Sequence, residues 1–135
     1  MVVHTDDLQG HGVDEWDWPA LHRDVVEPLT RGRAARYTVR HWGERAASGT
    51  VDVATASIVV VEGVSATRRE ALVPWDLTVW VDAPETLRRA RTAGRDDAAT
   101  QEIWRSTWIP QEQAYAARER PWQRVDLIVD GTEHR

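Results

Sequence analysis

The chain has 135 residues, 41% of them hydrophobic and 29% charged, with a net charge of −5. That length and composition suit one globular domain able to bury a core, while the acidic balance argues against a general binder of nucleic acid or anionic membranes. Cysteine is absent, which excludes disulfides, thiolate catalysis and cysteine-held metal.

Val2–His4 read as the end of a strand, so the chain begins inside an element and runs at once into Thr5-Asp6-Asp7. Residues 18–31 read as a helix: Pro19 suits its first turn, Leu21, Val25 and Leu29 recur at a four-residue step, and Gly32 suits its end. Segment 36–42, RYTVRHW, reads as a strand or an ordered loop, and residues 43–56 as a connection with a short strand at Thr50–Val53. Ile58–Val61 and Leu77–Val81 are continuous apolar runs, the pattern of strands buried on both faces. A short helix is expected over 66–72. Pro84 starts another, through about Ala93, which Gly94 closes. Residues 98–119 read as a longer helix with a kink or break at Pro110, and Leu127–Val129 as a last strand.

Buried-type strands alternating with helices predict an α/β fold with a mainly parallel sheet. Ligands in such folds sit beyond the carboxyl ends of the strands. Those exits are Thr5-Asp6-Asp7, Glu62-Gly63, Asp82-Ala83-Pro84 and Asp130-Gly131. Acids there either cap the following turn or do chemistry, as Mg²⁺ ligands or proton acceptors. The eight tryptophans include Trp104 and Trp108, which share one helix face with Tyr115, a core or interface stripe; Trp16 and Trp18 lie in an acidic stretch and are expected at the surface.

Taken in order, HTDDL (4–8), VVVEGV (59–64), LTVWVDAPETLRRARTAGRDD (77–97), IWRSTWIPQEQAYAARER (103–120) and VDLIVDG (125–131) resemble the uridine kinase-like branch of the P-loop phosphotransferases, over nearly the whole chain. The resemblance implies a three-layer P-loop kinase-like fold. It also implies ATP and Mg²⁺ as cofactors, and phosphoryl transfer to a hydroxyl of a nucleoside or similar small molecule. By that likeness, Asp6 is the catalytic carboxylate that orients the attacking hydroxyl and takes its proton, and Glu62 is the Mg²⁺ ligand. Gly63 leaves room for a phosphate or substrate. The acceptor-binding residues implied are Asp7, Tyr37, His41 and Trp42, although His41 stands where relatives tend to carry an aspartate, and the aromatics alternatively pack under a loop. Residues 84–97 correspond to a lid that would bring Arg88, Arg89, Arg91 and Arg95 to the phosphates; a solvated basic helix end is the other reading.

A phosphate loop, G-x-x-x-x-G-K-[ST], is absent: no two glycines have that spacing, and all 17 basic residues are arginine. The resemblance therefore implies a single domain over 1–135 that is N-terminally truncated, lacking the first, central strand, the phosphate loop and the first helix. Loss of a central strand would leave its two neighbours unpaired. The expected outcomes are a rearranged sheet, pairing with a partner strand, or a marginal fold. A homodimer through strand edges or the Trp-rich surface is one expectation that follows. Such a chain would turn over little or nothing, and the alternative is a non-catalytic, degenerate kinase-like domain acting in protein interaction or regulation. No H-E-x-x-H, G-x-S-x-G or dinucleotide fingerprint competes. No apolar run has the length of a membrane span and no signal peptide is evident, so a cytoplasmic protein without membrane or nucleic-acid partners is expected.

Overall fold

The computed structural model describes residues 1–8, 16–40 and 48–132. They fall into two compact units, Met1–Pro74 and Trp75–Arg135.

In the first unit, β1 (Val2–His4) pairs in parallel with β4 (Val60–Glu62), with Val3 opposite Val61 and His4 opposite Glu62. β2 (Ala35–Val39) and β3 (Gly49–Val53) form an antiparallel ladder with Arg36 opposite Asp52. The expected short strand thus starts at Gly49, one residue early. Between β1 and β2 runs a helical stretch of three parts: α1 (Trp18–Ala20), a π-helical segment Leu21–Val26, and α2 (Glu27–Thr30). Asp17 caps its start by accepting from the Ala20 amide at 3.0 Å. Gly32, at φ +68°, follows its end, where its amide donates to the Leu29 carbonyl. The π segment stops two residues before Pro28. Proline has no N–H and its ring crowds the carbonyl four residues back; a wider turn there lets the helix continue. The core gathers Val3, Leu21, Val25, Tyr37 and Val53.

In the second unit, β5 (Val79–Asp82) and β6 (Leu127–Asp130) form a parallel ladder, Asp82 opposite Asp130. Between them run α3 (Glu85–Arg95), α4 (Ala98–Ile103), a π segment Trp104–Trp108 and α5 (Ile109–Glu119). This π segment again stops two residues before a proline, so Pro110 produces a widened turn rather than a break. Tyr115 is buried, and Trp104 and Trp108 meet edge to face with centroids 4.9 Å apart.

The architecture is mixed α/β, with two parallel ladders and one antiparallel among the described residues. Several details depart from the sequence-based expectation. The apolar runs at 58–61 and 77–81 form strands in part, as β4 and β5, and these are not buried on both faces: Val60 is 47% exposed and Val81 62%. Among the described residues each parallel ladder has two strands only, so the flanking layers that such runs need are incomplete. The helix expected over 66–72 is a single 3₁₀ turn, Arg69–Ala71, ended by left-handed Leu72. Gly94 lies inside α3 rather than past its end. There the Gln101 amide group donates to the Ala93 and Asp96 carbonyls, so no left-handed glycine turn is required. Trp18 is a core residue, not a surface one; it stacks on Trp16 with centroids 6.1 Å apart, and the Arg68 guanidinium lies 5.6 Å above its ring.

Candidate functional site

The carboxyl ends of β1 and β4 bring together His4, Thr5, Asp6 and Glu62. Parallel register sets His4 beside Glu62, and the His4 Nδ1–H donates to Glu62 Oε1. That hydrogen bond first of all holds the His4 imidazolium above its ordinary pKa; burial opposes it, and the charges of Glu62, Asp7 and Asp6 add to the rise. The pair is open to water on both sides. His4 was not among the residues singled out from the sequence. Its histidine is an obvious titratable group, but only strand register reveals its partner.

β1 turns into a 3₁₀ helix, Thr5–Asp7, which carries Asp6 outward to solvent and Asp7 inward. Asp7 is fixed twice. Its carboxylate accepts from the Tyr37 hydroxyl at 2.8 Å, and its carbonyl from the Arg40 amide at 2.9 Å. Tyr37 is buried in the core, and burial first, then the Asp7 carboxylate, pushes its hydroxyl well above the usual tyrosine pKa. The structure therefore joins Asp7 and Tyr37, with Tyr37 acting as a buried donor that orients Asp7. His41 and Trp42 lie outside the described residues.

Gly63 departs from its expected use. A Cβ added there would stand 1.9 Å from Thr5 Oγ1, so the space the glycine leaves is filled by the Thr5 side chain. At φ +139° the backbone also favours glycine. Thr5 Oγ1 and Ser65 Oγ are buried hydroxyls without a hydrogen-bond partner among the described residues, both next to the strand exits.

In the second unit, the expected lid arginines are all on α3 and all engaged. Arg88 donates from NH1 to Glu112 on α5 and from Nε to the Ala83 carbonyl at 3.2 Å. Arg89 pairs with Glu85 at 2.5 Å, and Arg95 with Asp96 at 2.7 Å. Arg91 donates to the Gly131 and Thr132 carbonyls at 2.8 and 3.3 Å, beyond the end of β6. Arg88 and Arg89 share one small cleft with Trp104 and Ile109. Arg91 points to a different place, so the four do not converge on one point.

Glu62 and Asp6 are hard oxygen donors, the type Mg²⁺ takes. Among the described residues no group of three or more His, Asp or Glu stands close enough to hold a metal unaided. The residues do not fit an ATP triphosphate, because neither a phosphate loop nor any lysine is present.

No family model matches the chain, and no curated protein matches it. Among solved structures it is similar to one described as a possible uridine kinase from Bacillus stearothermophilus. The TM-score is 0.66 and the identity 20%, covering 96% of this chain and 71% of that one. The chain shares the α/β fold of that structure. Among the described residues no helix is long and apolar enough to cross a membrane.

Proposed function

We propose that the chain is a uridine kinase-like domain that keeps the acceptor-side carboxylates of a small-molecule kinase but not the grip on ATP. The supporting observation is the exit of the parallel β1–β4 ladder, where Asp6 and Glu62 stand at neighbouring strand ends. In this reading Asp6, exposed on its 3₁₀ turn, orients a nucleoside-like hydroxyl and takes its proton. Asp7, held by Tyr37, hydrogen-bonds the acceptor, with His41 and Trp42 beside it. Glu62 would hold Mg²⁺ after exchanging His4 for the ion, and Mg²⁺ there would neutralise phosphate charge. Arg88, Arg89, Arg91 and Arg95 would answer the phosphates, each after release from its present partner.

Without a phosphate loop, transfer by this chain is slow or absent. The test is ATP- and Mg²⁺-dependent phosphorylation of a nucleoside panel by the purified chain, with Asp6→Asn as control. No turnover above that of the Asp6→Asn variant is expected; robust turnover that the variant loses would overturn the inactivity.

A second reading, a non-catalytic interaction domain, is favoured by the exposed apolar strand β6 and by Trp122, which is 40% exposed beside Trp80. It includes self-association as a homodimer, which sedimentation of the purified chain over a concentration series would detect.

A further inference from the structure

The pairing of Arg88 and Arg89 has a bearing on how α3 could meet a phosphate. The inference rests on the lid reading proposed above.

A guanidinium receives a carboxylate and a phosphate through the same fork of N–H donors. In the α3–α5 cleft both guanidinium groups already hold a carboxylate. Arg88 holds Glu112, which comes from α5, while its Nε is anchored on Ala83 at the entry to α3. Arg89 holds one oxygen of Glu85, and Gln113 of α5 donates to the other at 3.2 Å. These contacts tie the first two turns of α3 to α5. They also balance the cleft: Glu85 and Glu112 offset Arg88 and Arg89, so an approaching anion meets no net positive charge from these four.

We propose that Glu112 is an internal stand-in for a phosphate oxyanion on Arg88, a latch that holds α3 against α5 until a polyphosphate takes its place. Glu85 plays the same part on Arg89. A phosphate chain displaces Glu112 because it brings more charge than one carboxylate to the same fork. The displaced Glu112 turns to solvent, and α3 loses that tie to α5. The latch is an ordinary partly exposed ion pair, with Arg88 40% and Glu112 23% exposed, so exchange is reversible.

The experiment measures binding of inorganic tripolyphosphate to the full chain by calorimetry, with the fold checked by circular dichroism. Glu112→Gln keeps the shape of the side chain and removes the competing charge. It is expected to bind tripolyphosphate about twofold to fivefold more tightly than wild type, the equivalent of one partly exposed ion pair. Adding Arg88→Gln is expected to remove the gain. A structural role alone for Glu112 would weaken binding or leave it unchanged. If Glu112→Gln binds no tighter while Arg88→Gln binds more weakly than wild type, the latch is wrong and the lid arginine stands. If Arg88→Gln does not change the affinity at all, both fall. Should Glu112→Gln fail to fold, Glu85→Gln reports the same exchange on Arg89: tighter binding supports the latch, and unchanged binding overturns it.

Discussion

The two units hold themselves together by different means. Met1–Pro74 is built around buried apolar side chains: Val3, Leu21 and Val53 are fully buried, and Tyr37 nearly so. Trp75–Arg135 has a parallel ladder whose β6 residues are all exposed, and helices α3 and α4 that bury none of their residues. Around the buried Tyr115 it relies on side-chain pairs, Arg88 with Glu112, Arg89 with Glu85, and Trp104 with Asp96 at 2.8 Å. Burial of apolar area resists salt and acid, whereas exposed ion pairs contribute roughly 0–1 kcal/mol each and are screened. The carboxylates proposed for acceptor chemistry thus stand on the rigid unit, and the arginines proposed for phosphate stand on the unit held by exchangeable pairs.

The largest effect should come from matched truncations. Leu21→Ala removes a fully buried side chain and is expected to cost about 2–5 kcal/mol. Ile128→Ala, at a position 58% exposed on β6, should change stability by no more than about 0.5 kcal/mol. Urea denaturation of both variants measures the difference. Equal losses would break the comparison, because they would mean that β6 is as well packed as the helix over the first unit.

A sharper version uses one substitution twice. At Gly63 an added Cβ meets Thr5 Oγ1 in a backbone conformation that disfavours side chains, and Gly63→Ala is expected to cost at least about 1–3 kcal/mol. At Gly94, inside α3, nothing lies within 4 Å of the added atom, and Gly94→Ala should stabilise by about 0.5–1 kcal/mol through helix propensity. Thermal melts give both signs directly. In a Thr5→Ala background the Gly63→Ala loss should shrink, since the nearest remaining atom is Thr5 Cβ at 3.1 Å. A loss unchanged by Thr5→Ala would mean that backbone conformation alone requires the glycine.

These positions also mark what the sequence reveals. The helix from Trp18, its proline start, its glycine end and the strands at Val2–His4 and Leu127–Asp130 are local patterns, and each is legible in a few neighbouring residues. So are the acids at the strand exits, because the chain order of strands and helices implies where the exits point. Burial of the runs at 58–61 and 77–81 is not legible, since it depends on how many strands flank them. Trp18 stacks on Trp16 and under Arg68, a contact that no local pattern announces. His4 beside Glu62 needs register, and Arg88 on Glu112 spans 24 positions. Gly94 looks like a helix stop because Gln101, which satisfies the carbonyls instead, lies on the next helix.

The smallest expected effect concerns acid. Among the described residues, depressed carboxylates gather in the second unit. Arg89 holds the Glu85 carboxyl below its ordinary value, Arg95 does the same for Asp96, and hydrogen bonds from Thr100, Thr78 and Thr132 do so for Asp97, Asp126 and Asp130. In the first unit Arg36 lowers Asp52, out on the β2–β3 ladder. A carboxyl lowered in the folded state binds fewer protons folded than unfolded. Its contribution is therefore complete above the ordinary value of about 4 and fades as pH falls through the lowered one. Below about pH 4 the second unit should loosen before the first. The check is an NMR titration of the Trp104 indole, whose N–H donates to Asp96, against the methyl signals of Leu21. Indole broadening or shift should come at the higher pH, and 1 M salt should bring it higher still by screening the Arg95–Asp96 and Arg89–Glu85 pairs. Simultaneous changes in both signals, unmoved by salt, would mean that the two units melt as one and that their different packing has no thermodynamic consequence.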